Sequence, residues 1–108
     1  MDAETKQLYE MKATVLAALG HPIRLAVVEF LRDGEQCVCD IAEYVGAERS
    51  NVSRHLAVLS RAGVLEHRKD GLRMLYRLKF PCVLQFLGCV TTVLKAQAEA
   101  TQAVLERL

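Results

Sequence analysis

The sequence of 108 residues has no tryptophan, two prolines and few aromatic side chains (6%). No apolar run approaches the roughly 18 residues that mark a membrane-spanning helix, so we expect no membrane partner. The opening residues M-D-A-E-T-K are acidic and lack the apolar core of a signal peptide. We therefore expect a cytoplasmic protein, in which the four cysteines are reduced thiols or metal ligands rather than structural disulfides.

The sequence also lacks the usual marks of an enzyme. It has no C-x-x-C pair, no glycine-rich loop and no grouping of carboxylates and histidines that suits a catalytic cleft. We expect neither an enzyme nor an organic cofactor. There is no linker, low-complexity tract or internal repeat, so residues 1–108 are predicted to form one domain. An apolar content of 52% with few aromatics indicates an aliphatic, mainly helical protein.

The charge is unevenly distributed, although the formal net charge is only +1. Residues 1–48 carry nine acidic and four basic side chains, a net charge of −5. Residues 49–79 carry eight basic and two acidic side chains, a net charge of +6. A basic segment of this kind is either a solvated charged surface or the electrostatic footprint of a nucleic-acid-binding protein.

The basic segment opens with a pattern typical of an amphipathic helix, over about 49–62. Val52, Leu56 and Leu59 recur at helical spacing and are predicted to face the core, which leaves the polar residues outside. The segment before it predicts a short helix with Asp40 as a plausible cap. Two helices joined in this way predict a helix-turn-helix pair.

Two short alternating runs follow, over about 64–78, and flank the strong hairpin signal Asp70-Gly71. Three basic side chains gather at the predicted hairpin tip: Arg68, Lys69 and Arg73. A polar helix followed by a basic hairpin, or wing, suits double-stranded DNA. The helix can enter the major groove while the wing lies along the phosphates.

Long amphipathic helices are predicted at both ends of the chain, over about 3–19 and 81–107. Apolar residues of the last helix step by four, three and four, as in a coiled-coil seam: Val83, Leu87, Val90 and Leu94. We expect a homodimer through the first and last helices, because so small a domain cannot bury this helix alone. The alternative is a monomer that folds the helix back on itself. The predicted fold is mainly α with a small β-hairpin: a dimeric winged helix-turn-helix.

Three motifs resemble the ArsR/SmtB family of metal-responsive winged-helix repressors. They are L-A-A-L-G-H-P-I-R-L-A-V-V-E-F-L at 16–31, C-V-C-D-I-A at 37–42, and V-S-R-H-L-A-V-L-S-R-A-G-V-L at 52–65. The second resembles the metal-box signature of the arsenic- and cadmium-responsive branch. The resemblance implies a homodimer that represses its own operon and leaves a two-fold symmetric operator when a thiophilic ion binds.

The resemblance also implies which residues of the recognition helix meet DNA. By position they are Arg49, Ser50, Asn51, Ser53, Arg54 and His55. Glu48 departs from the pattern, since family members often have a small capping serine there. Glutamate caps helices poorly and repels phosphate, which leaves open where this helix begins.

Cys37 and Cys39 are the predicted core of an ion site. Two thiolates one residue apart can bind one soft ion where a loop enters a helix, and the helix N-terminus lowers thiol pKa values. Thiolate ligands select As(III), Sb(III), Cd(II), Hg(II) or Pb(II) over harder ions. The alternative is that both are small buried hydrophobic side chains.

Two sulfur ligands are too few for As(III) or Sb(III), and the arsenic branch often has a third cysteine where this chain has Ala42. Cys82 and Cys89 remain as candidates, from the same subunit or its partner. They lie on one face of the last helix but about 10 Å apart along it, so we expect only one of them to complete the site and prefer Cys89. The last helix has no His and no Asp, which disfavours the family's zinc, nickel and cobalt site.

The sequence therefore predicts a repressor whose DNA affinity falls when As(III) or Sb(III), or alternatively Cd(II), Hg(II) or Pb(II), binds these thiolates. The expected mechanism is allosteric, in that the ion favours a dimer geometry whose recognition helices no longer match adjacent major grooves. The alternative on the same scaffold is a redox or reactive-sulfur switch that joins Cys37 or Cys39 to Cys82 or Cys89.

Overall fold

A computed structural model describes all residues from 1 to 108. The elements in chain order are α1 (Ala3–Leu19), α2 (Pro22–Phe30), a 3-10 turn (Leu31–Asp33), β1 (Gln36–Cys37), α3 (Val38–Val45), α4 (Arg49–Arg61), β2 (Leu65–Asp70), β3 (Arg73–Leu78) and α5 (Cys82–Leu105). The predicted fold class, mainly α with a winged helix-turn-helix, is confirmed. No single helix is long and apolar enough to cross a membrane; by length and composition alone only α1 with Pro22–Asp33, bent by 83°, could.

The ends of the middle helices follow from local chemistry. α2 begins with Pro22 in its first turn, where the missing N–H costs no hydrogen bond, and His21 Nδ1 accepts from the Ile23 amide at 3.1 Å. The prediction of Asp40 as the cap of α3 is wrong. Cys37 occupies that position, and its Sγ accepts from the Asp40 amide at 3.4 Å. The first cysteine of the C-V-C-D motif is therefore also the residue that caps α3.

The core lies between α2, α3, α4 and the base of the wing. Its fully buried side chains are Val27, Val28, Leu31, Ile41, Val52, Leu56 and Leu59. The predicted inward stripe of α4 is confirmed, since Val52, Leu56 and Leu59 are each 0% exposed. Burying one face of α4 so completely holds the opposite, polar face at the surface.

The wing is an antiparallel hairpin of β2 and β3, in register from Leu65↔Leu78 to Asp70↔Arg73. Because Asp70 pairs with Arg73, the loop consists of Gly71 and Leu72, one residue later than the predicted Asp70-Gly71 turn. Gly71 takes a left-handed φ of 63°, which favours glycine.

A third strand, β1, is absent from the sequence prediction and gives the sheet order β1-β3-β2. It pairs with β3 through Gln36↔Tyr76 and Cys37↔Leu75. A strand of two residues is too short to show a period of two, so periodicity cannot reveal it. Its pairing makes Cys37 part of the wing sheet.

Both terminal helices leave apolar side chains exposed in a single chain. Leu87 is the only buried residue of α5, while Val90 and Leu94 are 42% and 59% exposed. On α1, Leu8 and Met11 are 49% and 60% exposed. These faces flank an apolar cavity between α1, α2 and α5. A single chain does not bury the surface that the sequence predicts for a dimer.

Candidate nucleic-acid interface and thiol site

The outer face of α4 presents most of the residues that the sequence assigns to DNA. Arg49, Ser50, Ser53 and Arg54 are exposed and Asn51 is half-buried. The Arg54 guanidinium donates to Asn51 Oδ1 at 2.9 Å, which aligns two side chains suited to base edges and phosphates. No side chain caps the N-terminus of α4, so its first backbone N–H groups remain available to an anion.

His55 differs from the other five because it packs inward. Its ring lies against His21, with ring centroids 4.4 Å apart, and its Nδ1 accepts from Arg24 Nε at 3.1 Å. Burial lowers the pKa of His55, and the nearby His21, Arg24 and Arg54 lower it further. A neutral His55 therefore joins α4 to α2.

The basic residues of the wing differ in their partners. Arg68 is held by Glu35, with Nε to Oε2 at 3.1 Å and Nη2 to Oε1 at 2.5 Å. The hydrogen bond from Arg68 lowers the pKa of Glu35. Arg73 lies 3.9 Å from Asp70, and Lys69 forms no salt bridge. All three basic side chains are exposed near the wing tip, but Arg68 is engaged with the loop before β1.

Cys37 and Cys39 are close together, with their Sγ atoms 3.0 Å apart. Cys37 is 4% exposed, whereas Cys39 is exposed. The thiol–thiol hydrogen bond raises the pKa of Cys37 and lowers that of Cys39, and the positive charge of Arg49 also favours the Cys39 thiolate. Cys39 is therefore the accessible thiol that ionises first, and Cys37 is its buried partner.

Cys82 and Cys89 do not join this pair within one chain. Both are exposed on α5, and no group of three His, Cys, Asp or Glu side chains could hold a metal ion. The structure thus brings together two of the four predicted sulfur ligands. Two thiolates are donors of the kind that soft ions prefer, but they are too few for As(III) or Sb(III), which would need a third ligand from outside this arrangement of one chain.

The thiol pair and the wing are physically connected. Cys37 pairs with Leu75 in β3, and Leu75 pairs with Arg68 in β2. Arg68 in turn binds Glu35, which lies two residues before Cys37. Cys37 is thus joined to the wing by backbone pairing in the sheet, and the loop before it is joined to the wing by an ion pair.

Sequence reasoning missed Arg24 and Glu35. Arg24 contacts a residue 31 positions away and Glu35 contacts one 33 positions away. Neither has a spacing signal, because such contacts depend on how the elements pack rather than on local pattern. The only indication was that Arg24 lies inside the first family-like motif.

Comparison with known proteins identifies the family. The family model for bacterial regulatory proteins of the arsR family matches residues 21–67. An HTH-type transcriptional regulator of Mycobacterium tuberculosis, Rv0081, is 37% identical over 106 residues, which cover 97% of this chain and 93% of the relative. The arsenical resistance operon repressor of Escherichia coli is 32% identical over 91 residues, which cover 83% of this chain and 78% of the relative.

Solved structures agree with this assignment. The homodimeric winged helix-turn-helix DNA-binding domain of a possible ArsR-family regulator from Mycobacterium bovis superposes with a TM-score of 0.79. It is 28% identical, and the match covers 93% of each chain. Rv0081 superposes with a TM-score of 0.77 at 35% identity, over 86% of this chain and 94% of that one. This chain belongs to the ArsR/SmtB family of transcriptional repressors, which are DNA-binding regulators and not enzymes.

Proposed function

We propose that this protein is a homodimeric repressor that binds a two-fold symmetric operator and releases it when a thiophilic ion binds Cys37 and Cys39. One observation carries the proposal: two thiols 3.0 Å apart lie at the junction of α3 and the wing sheet. That junction adjoins both elements of the proposed DNA interface. A ligand there can alter DNA binding without occupying the DNA surface.

The proposed DNA surface combines α4 and the wing. α4 enters the major groove and the wing follows the phosphates. The contributing residues are Arg49, Ser50, Asn51, Ser53, Arg54, Lys69 and Arg73, with Arg68 once it leaves Glu35. Support comes from the exposure of all these side chains except the half-buried Asn51, and from the net charge of +6 over residues 49–79. The sequence predicts His55 as a further DNA contact, but its ring packs inward against His21 and Arg24.

The homodimer is supported by the exposed apolar faces of α1 and α5. Met11, Val93 and Leu94 are between 55% and 60% exposed in a single chain, which is costly in water for adjacent apolar residues. The similar domain from Mycobacterium bovis is homodimeric. Pairing through α1 and α5 sets two copies of α4 on one side of the dimer.

As(III) or Sb(III) is the proposed inducer, with Cd(II), Hg(II) or Pb(II) as further candidates, because soft thiolates are the donors that such ions prefer. Cys37 and Cys39 supply two sulfurs. Cys89, or else Cys82, supplies the third, from the partner subunit or after α5 moves. The similarity to an arsenical resistance operon repressor supports this choice of ion class.

The chain's own residues suggest how binding is transmitted. Thiolates rather than thiols bind such ions, so both protons leave and the Cys37–Cys39 hydrogen bond is lost. Cys37 is fixed to Leu75 of β3, and its Sγ also accepts from the Asp40 amide at the start of α3. A change at Cys37 therefore alters the position of the wing relative to the helix-turn-helix, in addition to any change in dimer geometry.

A thiol switch is the second candidate function, and one observation favours it. Cys39 is exposed, has a lowered pKa and lies beside a second thiol. Exposed thiolates with a nearby resolving thiol are the sites that oxidants and reactive sulfur species modify. After such a modification, a disulfide or polysulfide bridge from Cys37 or Cys39 to Cys82 or Cys89, of the partner subunit or after α5 moves, releases the operator in place of an ion.

Fluorescence anisotropy of a labelled operator at fixed salt tests both candidates. We expect arsenite or antimonite to release the wild-type protein, and Cys37→Ser and Cys39→Ser to bind the operator but resist release. Cys82→Ser and Cys89→Ser identify the third sulfur: the variant that also resists release has lost it, and the variant that is released like the wild type is the matched control. Ion-induced release of both Cys37→Ser and Cys39→Ser would refute the ion site. Mass spectrometry of the released protein separates a bound ion from a new sulfur bridge.

A further inference from the structure

Arg24, in the first turns of α2, contacts the end of one helix and the middle of another. Its Nη1 donates to the carbonyl oxygens of Ala18 at 3.0 Å and Ala17 at 3.4 Å. Its Nε donates to His55 Nδ1 on α4 at 3.1 Å. The last turn of α1 has no basic side chain of its own. Arg24 therefore satisfies the Ala18 carbonyl and shares the Ala17 carbonyl with the Gly20 amide, which donates to it at 3.2 Å. We call these contacts the Arg24 bridge.

The acceptor on α4 is a histidine that must be neutral. Nδ1 can accept only when its lone pair is free, which places the ring proton on Nε2. The charged or titratable groups facing His55 are His21 and Arg24 from the α2 side and Arg54 on α4 itself. α1 contributes only carbonyl oxygens to the bridge. Protonation of Nδ1 would set a positive N–H against the guanidinium and break the bond.

We infer that Arg24 is a positioning residue that fixes α4 relative to α1, with neutral His55 as its acceptor. The inference rests on the proposed function for the role of α4 as the DNA-reading helix and of α1 as a dimer helix. A guanidinium is a rigid planar fork, so its bonds to two helices restrain their relative orientation. A change in the packing of α1 at the dimer interface therefore reaches the recognition helix through Arg24. His55 supports DNA binding by holding Arg24 rather than by reading a base.

Arg24→Lys is the main test, because lysine keeps the charge but cannot make the forked contacts. At pH 7.5 we expect operator affinity to fall about tenfold, which is about 1.4 kcal/mol for the dimer or about 0.7 kcal/mol per subunit, the net contribution of one ordinary hydrogen bond. The slope of log affinity against log salt should stay unchanged, because a positioning residue neutralises no phosphate. Arg54→Gln is the comparison variant. Each phosphate contact that it loses makes the slope of log affinity against log salt shallower by about 1. Wild-type affinity in Arg24→Lys, or a loss with a reduced slope, overturns the inference.

The dependence of operator affinity on pH gives a second test. The two possible roles of His55, holding Arg24 or touching DNA, predict changes of affinity in opposite directions. If His55 acts through Arg24, protonating it weakens operator binding as the pH falls below its lowered pKa. If His55 touches DNA directly, the added charge strengthens binding. His55→Asn keeps an acceptor near the Nδ1 position and cannot be protonated, so its profile should be flatter and its affinity loss smaller than that of His55→Phe. Equal losses in these two variants, or tighter wild-type binding in acid, overturn the inference.

A measurement without DNA separates this inference from the proposed function. Nitrogen-15 NMR of the imidazole rings should show His55 neutral, with its proton on Nε2, and Arg24→Lys should weaken that tautomer preference. A His55 that carries its proton on Nδ1 at neutral pH overturns the inference. If the wild-type protein shows no preference for a symmetric operator, the proposed function fails, while the NMR result still decides whether the Arg24 bridge exists.

Discussion

Replacing Glu35, in the loop before β1, with glutamine tests whether its ion pair keeps Arg68 of the wing away from DNA. Glu35 holds the Arg68 guanidinium through two hydrogen bonds, at 3.1 and 2.5 Å. Glutamine keeps the size of the side chain but removes its charge, so the ion pair is lost. Arg68 is then free to turn toward a phosphate. We expect Glu35→Gln to bind the operator more tightly at low salt and to depend more steeply on salt.

The expected change in salt dependence follows from one additional arginine–phosphate contact in each subunit of a dimer. Each new phosphate contact makes the slope of log affinity against log salt steeper by about 0.9, so a dimer gains about 1.8. Between about 50 and about 200 mM salt, Glu35→Gln should therefore lose roughly 12-fold more affinity than the wild type. The change in stability should be small, because both side chains lie at the surface.

The assay is operator anisotropy at four or more salt concentrations, for the wild type, Glu35→Gln and a matched control. Glu43→Gln is that control, since it removes the same charge from an exposed residue of α3 that forms no salt bridge. A slope for Glu35→Gln equal to that of Glu43→Gln would show that Arg68 does not gain a phosphate. The assignment of Glu35 as the partner that keeps Arg68 from DNA would then be wrong.

Three further predictions concern the core, the dimer and the thiols. Leu56→Ala should lower the free energy of unfolding by about 2–5 kcal/mol in urea titrations, because Leu56 is 0% exposed; a loss below about 1 kcal/mol would contradict its place in the core. Leu94→Glu should yield a monomer in analytical ultracentrifugation with weakened operator binding, and a stable dimer would exclude this part of α5 from the interface. Iodoacetamide should modify Cys39 faster than Cys82 at pH 7.5, because the lowered pKa of Cys39 gives more thiolate. Cys37→Ser should slow that reaction by weakening the hydrogen bond to the Cys39 thiolate, and an unchanged rate would exclude Cys37 as the cause.

Local patterns predicted most of the fold. Periodicity predicts the first helix over 3–19, and the structure has it at Ala3–Leu19. It predicts the recognition helix over about 49–62, and the structure has it at Arg49–Arg61. Periodicity at 3.6 residues reports which face of a helix is buried, and the two-residue signal of a hairpin reports a turn. Both are properties of neighbouring residues, so the sequence alone determined them.

The site was predictable only in part. The spacing of Cys37 and Cys39 predicts a thiol pair, and the structure has their sulfur atoms 3.0 Å apart. The position of Cys37 in the sheet could not be predicted, because β1 consists of only two residues and forms only through their pairing with β3. The capping role of Cys37 in place of Asp40 has the same origin, since the pairing of β1 fixes where α3 can begin.

The sequence by itself determined the helices, the hairpin and the basic segment, because each depends on side chains within a few positions of one another. Only the tertiary structure decided that Arg24 meets His55 and that Arg68 meets Glu35. These pairs join segments more than 30 residues apart. Their geometry depends on how α1, α2, α4 and the wing pack around one core, and no local pattern carries that information.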